Sequence, residues 1–414
     1  MWWKKRPGRK YEPNPNPITK NRIRKLLVGA ALVGAATLVQ AQFNYTDNGD
    51  GTCTITKYTG NAHTVTVPDS IAGLTVVSIG KGAFEFFQIL NSVTFGNSVT
   101  SIATDAFGFC NNLTNVAMGN GVISIGNKAF YYCYHLPNVT IPASVTSIGT
   151  NAFSNCTGLT SITIPASVTN IGDSAFYFCT GLTNVTVGNS VTSIGTGAFR
   201  ACDSLKAITV DAANSCYSSA NGVLLNKNQT TLIQFPGGQG GSYAIPNNVT
   251  SIGDTAFRYC TNLTSVTIPK SVTYVGYEAF ADCPGLTSAY FLGNAPYDGG
   301  AVFYALSGYD PVTAYYLPGA TGWGPLFSGV PTDLWYLPTP LILTGDDSFG
   351  VLNNRFGFTI SWATNVSVVV EACTNLANPI WTPLATNALV NGTNYFSDTT
   401  PPDLPKRFYR VRAQ

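Results

Sequence analysis

The sequence predicts a solenoid of short, stacked, β-rich coils that is followed by a small β-sandwich-like domain. The dipeptide Ala-Phe recurs along the chain, at residues 83–84, 106–107, 129–130, 152–153, 175–176, 198–199, 256–257 and 279–280. Successive copies are 23 residues apart, except for one step of 58 residues. A fixed period of about 20–29 residues is typical of solenoids, whose units bury their apolar edges only by stacking. This period is lost after residue 340, where short strand-like runs replace it.

The first half of one repeat, taken from residues 159–179, predicts a half-buried strand. Ile162 and Ile164 alternate with polar residues, which is the pattern of a strand with one face in the core. Pro165 ends this strand, because proline has no N–H group to donate to a β-ladder. Each coil is therefore expected to contribute one short strand to a long parallel sheet.

The second half of the same repeat predicts a return path with its own core residues. Val168 and Ile171 are expected to point inward from the opposite side of the coil, and Gly172 permits a turn with positive φ. The segment 175–179 is interpreted as a short helical turn, from which Phe176 fills the core. The coil then closes, and the next strand begins.

The repeat L-x-x-I-x-I-P-x-S-V-T-x-I-G-x-x-A-F-x-x-C resembles the BspA-type leucine-rich repeats of bacterial surface proteins. Eight near-identical units carry this resemblance, with Ala103 in the glycine position, Phe87 in the first cysteine position and Ala289 in the last strand position. The resemblance implies a leucine-rich repeat solenoid. It also implies a surface protein that attaches to host or matrix proteins, glycans or other cells.

The division of the chain follows from where the repeat begins and ends. In chain order we predict a signal peptide (1–41), an N-terminal cap (42–73), leucine-rich repeats (74–291) with a hairpin insertion near 212–241, a C-terminal cap (292–337) and a β-sandwich-like, fibronectin-III-like domain (341–414). The insertion accounts for the long step, since residues 222–235 have the pattern of two short strands around a polar turn. It is either a binding feature or a structural bulge.

The first 41 residues have the pattern of an export signal. A basic stretch precedes an apolar run over residues 26–39, and small residues follow at the expected cleavage site, Val39-Gln40-Ala41. The apolar run is shorter than the roughly 20 residues of a membrane-spanning helix. We therefore expect an exported protein, secreted or on the cell surface. The alternative is that the segment stays uncleaved as a membrane anchor.

The charge of the chain is small and unevenly distributed. Nine of the 22 Lys and Arg residues lie in the first 41 residues, so the remainder has 13 basic and 19 acidic residues and a net charge of −6. A mildly acidic protein with dispersed charge offers no basic patch for nucleic acid. We expect neither a nucleic-acid partner nor a small-molecule cofactor.

Most of the ten cysteines occupy one repeated position, so we assign them to the core. With the phenylalanines of the Ala-Phe pairs, the predicted core positions are Phe107, Phe130, Phe153, Phe176, Phe199, Phe257, Phe280, Cys110, Cys133, Cys156, Cys179, Cys202, Cys260 and Cys283. Stacked cysteine side chains favour a ladder of small buried thiols. Disulfides between adjacent coils remain the alternative, because neighbouring coils are close enough for a bridge. No C-x-x-C pair exists, which argues against a metal site.

The search for catalytic motifs gives only weak candidates. His135 lies two residues after Cys133 but is interpreted as a substituted repeat residue, and His63 has no motif around it. Residues 47–51 are interpreted as a hairpin turn, since a calcium loop would need a closing Glu. No P-loop or G-x-S-x-G motif is present. We therefore expect no enzyme activity.

The solvent-facing positions of the repeat strands are uncharged and rich in threonine. The candidate binding residues on this face are Thr140, Ser161, Thr163, Asn184, Thr186, Thr209 and Thr267. One interpretation is a concave hydrogen-bonding surface for an extracellular protein or glycan, and a narrower one is ice binding. The alternative to a binding role is that threonine occurs at these positions because it favours strands. The sequence thus predicts a binding or adhesion protein, with a passive envelope or matrix component as the alternative.

Overall fold

The computed structural model describes residues 42–306, 308–335, 340–344, 348–353, 355–362, 366–399 and 406–414. The predicted signal peptide, residues 1–41, lies outside these ranges. Within them the chain forms a β-solenoid of about 11 turns over residues 52–316, and two antiparallel sheets follow it.

The strands are short and numerous. Those before the insertion are β1 (Phe43–Asp47), β2 (Thr52–Tyr58), β3 (Thr64–Val67), β4 (Ser70–Ile71), β5 (Leu74–Ile79), β6 (Ser92–Phe95), β7 (Ser101–Ile102), β8 (Asn115–Ala117), β9 (Ser124–Ile125), β10 (Ser147–Ile148), β11 (Ser161–Ile164), β12 (Asn170–Ile171), β13 (Asn184–Val187), β14 (Ser193–Ile194) and β15 (Ala207–Val210). Those from the insertion to the last coil are β16 (Tyr217–Ala220), β17 (Val223–Asn226), β18 (Thr231–Gln234), β19 (Gly241–Ala244), β20 (Ser251–Ile252), β21 (Leu263–Ile268), β22 (Tyr274–Val275), β23 (Ser288–Phe291), β24 (Tyr297–Asp298), β25 (Tyr304–Ala305), β26 (Gly308–Tyr309), β27 (Thr313–Tyr316), β28 (Leu326–Phe327) and β29 (Val330–Leu334). The C-terminal strands are β30 (Leu341–Leu343), β31 (Gly350–Leu352), β32 (Arg355–Ser361), β33 (Val366–Cys373), β34 (Thr382–Leu389), β35 (Thr393–Ser397) and β36 (Phe408–Ala413).

Each regular coil contributes one strand to each of two sheet faces, except the coil of Thr140, which contributes only a bridge between Asn138 and Ser161 to the longer-strand face. The longer strands form the face that includes β11-β13-β15, and the two-residue strands form the face that includes β7-β9-β10-β12-β14. Neighbouring strands are parallel and pair with a 23-residue register, so that Ser161 lies beside Asn184 and Ile171 beside Ile194. Inward-facing residues of both faces therefore stack into one continuous core.

The third side of each coil is made of tight turns and is not helical. Within one turn, Ala175 N–H donates to Gly172 O and Cys179 N–H donates to Phe176 O, each bond spanning three residues. The N–H groups between them donate to the next coil instead, as Phe176 does to Ala198 O at 2.8 Å. Because alternate N–H groups are used between coils, an α-helix cannot form there, and the predicted short helical turn is a pair of β-turns.

The core is an aromatic ladder that follows the axis of the solenoid. The rings of Phe84, Phe107, Phe130, Phe153, Phe176 and Phe199 are stacked with centroids 4.9–5.5 Å apart. Every phenylalanine and cysteine that we assigned to the core is buried, with at most 1% of its surface exposed. Stacking of identical coils is therefore what removes these side chains from water.

The N-terminal segment both caps the solenoid and takes part in its sheets. β1 and β2 form an antiparallel hairpin that closes at Asp47 and Cys53, which confirms the turn predicted at residues 47–51. Gly49 and Gly51 both have positive φ there, as such turns require. β2 pairs with β5 and β3 pairs with β6, so repeat-like pairing already begins inside the predicted cap.

The insertion interrupts the solenoid between Phe199 and Phe235. β17 pairs antiparallel with both β16 and β18, and β18 then starts the next parallel sheet through β20. Residues before and after this point belong to two separate buried clusters. Phe235 begins a second ladder with Phe257, Phe280 and Phe303. The molecule thus contains two repeat arrays, which we call the first and the second array.

The C-terminal domain has two antiparallel sheets, one containing β30, β31, β32 and β35, the other β33, β34 and β36. Phe358 and Ile360 of the first sheet share a buried cluster with Val368 and Val370 of the second. This is the sandwich-like arrangement that the strand spacing predicted, while its fibronectin-III-like character stays a prediction. The buried Ser361 Oγ donates to Pro318 O at 2.7 Å and joins this domain to the last coils.

We expect Phe153→Ala to destabilise the protein by about 3–5 kcal/mol. Phe153 is fully buried, and its ring contacts Phe130 at 5.2 Å and Phe176 at 5.3 Å, so the substitution opens a cavity in the ladder. Denaturant unfolding measures the loss. The exposed Thr163→Ala serves as the control and should change stability by less than about 0.5 kcal/mol. Equal stability of the two variants would contradict the ladder.

We expect Asn214→Ala to loosen the insertion at a cost of about 2–4 kcal/mol. The fully buried amide donates to Gly188 O and Val191 O of the first array, and it accepts the N–H groups of Cys216 and Tyr217. Removing it leaves four backbone groups without these partners, those of Gly188 and Val191 buried and those of Cys216 and Tyr217 half-buried. The exposed Asn248→Ala, which loses a single bond, is the control. Hydrogen exchange at residues 212–226 that is unchanged in Asn214→Ala would show that this amide does not anchor the insertion.

Candidate binding face

The predicted binding residues lie on the longer-strand face of the solenoid. Six of them are exposed: Thr140, Ser161, Thr163, Asn184, Thr186 and Thr209. We call these six residues the threonine face. Thr267, the seventh, is half-buried.

The register of the strands aligns the threonine face into two rows. Thr163, Thr186 and Thr209 lie side by side on β11, β13 and β15, and Ser161 lies beside Asn184. Adjacent strands are about 4.8 Å apart, and residues two apart on one strand are about 6.6 Å apart. The face is thus a flat grid of hydroxyl and amide groups without a charged side chain among its six members.

Other threonines of the same coils form hydrogen bonds between coils, which the threonines of the threonine face do not. The hydroxyls of Thr169 and Thr192 each donate at 3.2 Å to a carbonyl oxygen 23 residues back, and Thr183 does so at 2.9 Å. These bonds join neighbouring coils. Within the described ranges, the hydroxyls of Thr163 and Thr186 have no such partner. Their hydrogen-bonding capacity is therefore open to a ligand.

The insertion separates Thr267 from the rest. The sheet that contains Thr209 ends at β15, whereas Thr267 lies on β21, in a sheet that begins at β19. There it pairs with Tyr290, whose ring stacks on Tyr315 at 5.2 Å. The structure therefore brings six of the predicted residues together and places the seventh beside an aromatic group.

The cysteines of the repeated position form a ladder, and all ten cysteines are free thiols. Cys156 Sγ donates to Phe130 O at 3.2 Å, and the same bond to the preceding coil recurs at Cys110, Cys133, Cys179, Cys202 and Cys283. Burial raises the pKa of the Cys110, Cys156 and Cys202 thiols to about 12. The thiolate is the reactive form of cysteine. These groups therefore hold coils together and are poor nucleophiles.

The histidines do not assemble a catalytic site with them. His135 is exposed and its Nδ1 lies 2.7 Å from Asn111 O, whereas Cys133 is buried and bonds to Phe107 O. His63 is exposed as well. In the part of the chain that the structure describes, no three His, Cys, Asp or Glu residues are grouped as metal ligands. Over the same residues, no helix has the length and apolar character needed to cross a membrane.

Sequence reasoning missed one exposed surface, at the turns that follow each Ala-Phe pair. Phe86 and Phe178 occupy the second position after the pair in their coils, and both are exposed. Aromatic residues at this position would have been a signal, but the turn geometry that exposes them is not visible in the sequence.

The comparisons with known proteins agree with this architecture. The family described as BspA type leucine rich repeat region, in six copies, matches residues 57–156, 123–238 and 239–313. A leucine rich cell surface protein from Faecalibacterium prausnitzii is 30% identical, with a TM-score of 0.51 over 66% of this chain and 86% of that chain. The pneumococcal vaccine antigen PcpA is 18% identical, with a TM-score of 0.50 over 66% and 85%, and shares the fold. No curated protein matches the chain.

We expect all ten cysteines to be titrated by a thiol reagent after unfolding without reductant. In the native protein, Cys216 alone is outside the buried set and should react quickly. The slow reaction of the core thiols should persist up to pH of about 10, because thiols with a pKa of about 12 remain protonated there. A count below ten in the unfolded chain would indicate disulfides.

Proposed function

This chain belongs to the BspA type leucine-rich repeat family, and we propose that it is a cell-surface binding protein that attaches to an extracellular protein or glycan. The observation that carries the proposal is the threonine face. Its rows of aligned hydroxyl and amide groups are exposed, and its hydroxyls take no part in joining the coils, unlike Thr169 and Thr192. Strand preference accounts for threonine at these positions but not for the uninterrupted, uncharged grid.

The export signal predicted at residues 1–41 fits this location, and so does the cell-surface description of the relative from F. prausnitzii. We assign the chain no enzyme activity and no cofactor. All of its cysteines except Cys216 are buried, and its two histidines are exposed. The net charge of −6 beyond residue 41 gives no support to nucleic acid as a partner.

The alternative function is a passive envelope or matrix component that is held by self-association. A regular, low-charge solenoid surface supports this alternative as well. The two functions differ in one property, since a binding protein saturates with a ligand and a structural component assembles with itself as its concentration rises.

We expect the double variant Thr163→Ala/Thr186→Ala to weaken ligand binding at least about tenfold, because it removes two neighbouring hydroxyls from the centre of the face. Binding is measured with the mature chain on a glycan array and on immobilised extracellular matrix proteins. The control is Thr169→Ala/Thr192→Ala, which changes the same residue type directly before β12 and β14 of the same coils. Because both hydroxyls bond to the preceding coil, the thermal midpoint of each variant is measured alongside binding.

Two outcomes would contradict the proposal. Unchanged binding by Thr163→Ala/Thr186→Ala would exclude the threonine face as the site. Concentration-dependent assembly in analytical ultracentrifugation, with no saturable binding to any glycan or protein on the arrays, would favour the structural alternative.

A further inference from the structure

Two positions in each of these turns have a left-handed backbone, and glycine is never found at the second of them. This second position is the residue before the repeated cysteine, and its φ lies between 56° and 64° in eight coils, at Phe86, Phe109, Tyr132, Asn155, Phe178, Ala201, Tyr259 and Asp282. Asn and Asp tolerate this conformation, whereas it is strained for bulky side chains. An aromatic residue at this position therefore costs conformational energy.

The fold itself does not require aromatic residues there. Asn155, Ala201 and Asp282 hold the same backbone conformation in their own coils. The aromatic side chains are also not hidden, since Phe86 is 60% exposed and Phe178 is 40% exposed. Neither backbone preference nor core packing explains them, which points to a role at the surface.

The first array presents these rings along one edge of the solenoid. Phe86 stacks on Phe109 with centroids 4.6 Å apart and planes at 9°, and Phe109 stacks on Tyr132 at 5.1 Å and 12°. The faces of these three rings therefore cover one another, and their edges face the solvent. A sugar ring stacks on an aromatic face, so this arrangement favours apolar side chains of a protein over a glycan.

A cation without an ion pair, Arg200, lies one coil beyond Phe178, at the position directly after the Ala-Phe pair. The Arg200 guanidinium lies over the Tyr177 ring at 4.6 Å and over the Tyr259 ring of the second array at 5.9 Å, and its Nε is buried without a hydrogen bond. The described residues contain no ion pair for it. A buried donor without a partner is costly, and the guanidinium that carries it has no counter-charge in the fold. A carboxylate from outside the chain would supply that charge.

The second array shows what Arg200 lacks. Arg258 occupies the same repeat position, directly after an Ala-Phe pair, and forms ion pairs with Glu278 and Asp282 of the following coil. After Arg200 the insertion replaces that regular coil. The two arginines therefore differ in whether the fold supplies their counter-charge.

We propose that the aromatic edge, made of Phe86, Phe109, Tyr132, Tyr177, Phe178 and Arg200, docks an extended protein segment that carries an acidic side chain beside apolar ones. Aromatic residues and arginine are enriched at the centres of protein interfaces. The edge spans five coil steps from Phe86 to Arg200, about 24 Å, which an extended segment of about eight residues covers. The carboxylate meets Arg200, and the apolar side chains pack against the ring edges. This edge is separate from the threonine face, so the two proposals succeed or fail independently.

The variants Phe86→Asn and Phe178→Asn test the edge without disturbing the fold. Asparagine already occupies the equivalent position at Asn155, so the thermal midpoint should not fall. Arg200→Gln removes the cation. Ile380→Asn, which changes an exposed apolar residue of the C-terminal domain, is the matched control. The Thr163→Ala/Thr186→Ala variant separates this proposal from the threonine face.

The probe is an array of synthetic twelve-residue peptides in which one Asp or Glu is flanked by Leu, Phe or Tyr, with matched sets that carry Asn, Gln or Lys instead. The full mature chain should bind the acidic sets at least tenfold more tightly than the matched sets. Phe86→Asn and Phe178→Asn should each lose at least fivefold, and Arg200→Gln should abolish the preference for acid. Ile380→Asn and Thr163→Ala/Thr186→Ala should bind like the wild type.

Three results would overturn the proposal. The first is that the unchanged protein binds all peptide sets equally. The second is that Phe178→Asn, with an unchanged thermal midpoint, binds the peptides as tightly as the unchanged protein does. The third is that the protein binds acidic or neutral oligosaccharides saturably and binds none of the peptides. A concentration-dependent dimer that Phe178→Asn abolishes, with no peptide bound, would assign the edge to a second copy of the chain instead.

Discussion

The hydrogen bonds between successive coils hold each residue beside its counterpart 23 positions away, and the rest of the structure depends on this register. Ser161 pairs with Asn184, and Phe176 N–H reaches Ala198 O, so the same repeat position meets the same surroundings in every regular coil. A one-coil unit has no core of its own, and stability comes from neighbours that present identical positions. Side chains that recur are therefore explained by the fold, and those that depart from their position need a separate reason.

The insertion is the largest departure, and it affects both surfaces. The phenylalanine ladder stops at Phe199 and restarts at Phe235, so two buried clusters replace one. The threonine face ends at Thr209 for the same reason, because the sheet of β11, β13 and β15 does not continue into β19. The loss of a regular coil after Arg200 removes the acidic partners that Arg258 retains. One change in chain path thus sets the limits of the threonine face and leaves a cation unpaired.

Much of this architecture could be predicted from the sequence, because its determinants are periodic. The 23-residue step and the alternation of Ile162 and Ile164 identify the strands and the core, and the family match confirms the resemblance that they carry. The turns could not be predicted, since the partners of their N–H groups lie a full coil away and no local pattern records them. The same turns hide the left-handed position that exposes Phe86 and Phe178. Six of the predicted binding residues lie exposed on one face, while Thr267 is separated from them by an insertion whose path the sequence does not give.

A group in this molecule is a candidate for binding when the fold leaves its chemistry unused. The thiol of Cys156 donates to Phe130 O and the hydroxyl of Thr169 donates to Thr146 O, so both groups join neighbouring coils. The hydroxyl of Thr163 and the Nε of Arg200 make no such bond between coils. The two groups differ in the free energy that is lost when they have no partner in the protein. Water can hydrogen-bond to the exposed hydroxyl, whereas it does not reach the buried cationic N–H. Arg200 therefore gives the stronger physical reason to expect a partner. The threonine face offers the larger and more regular surface.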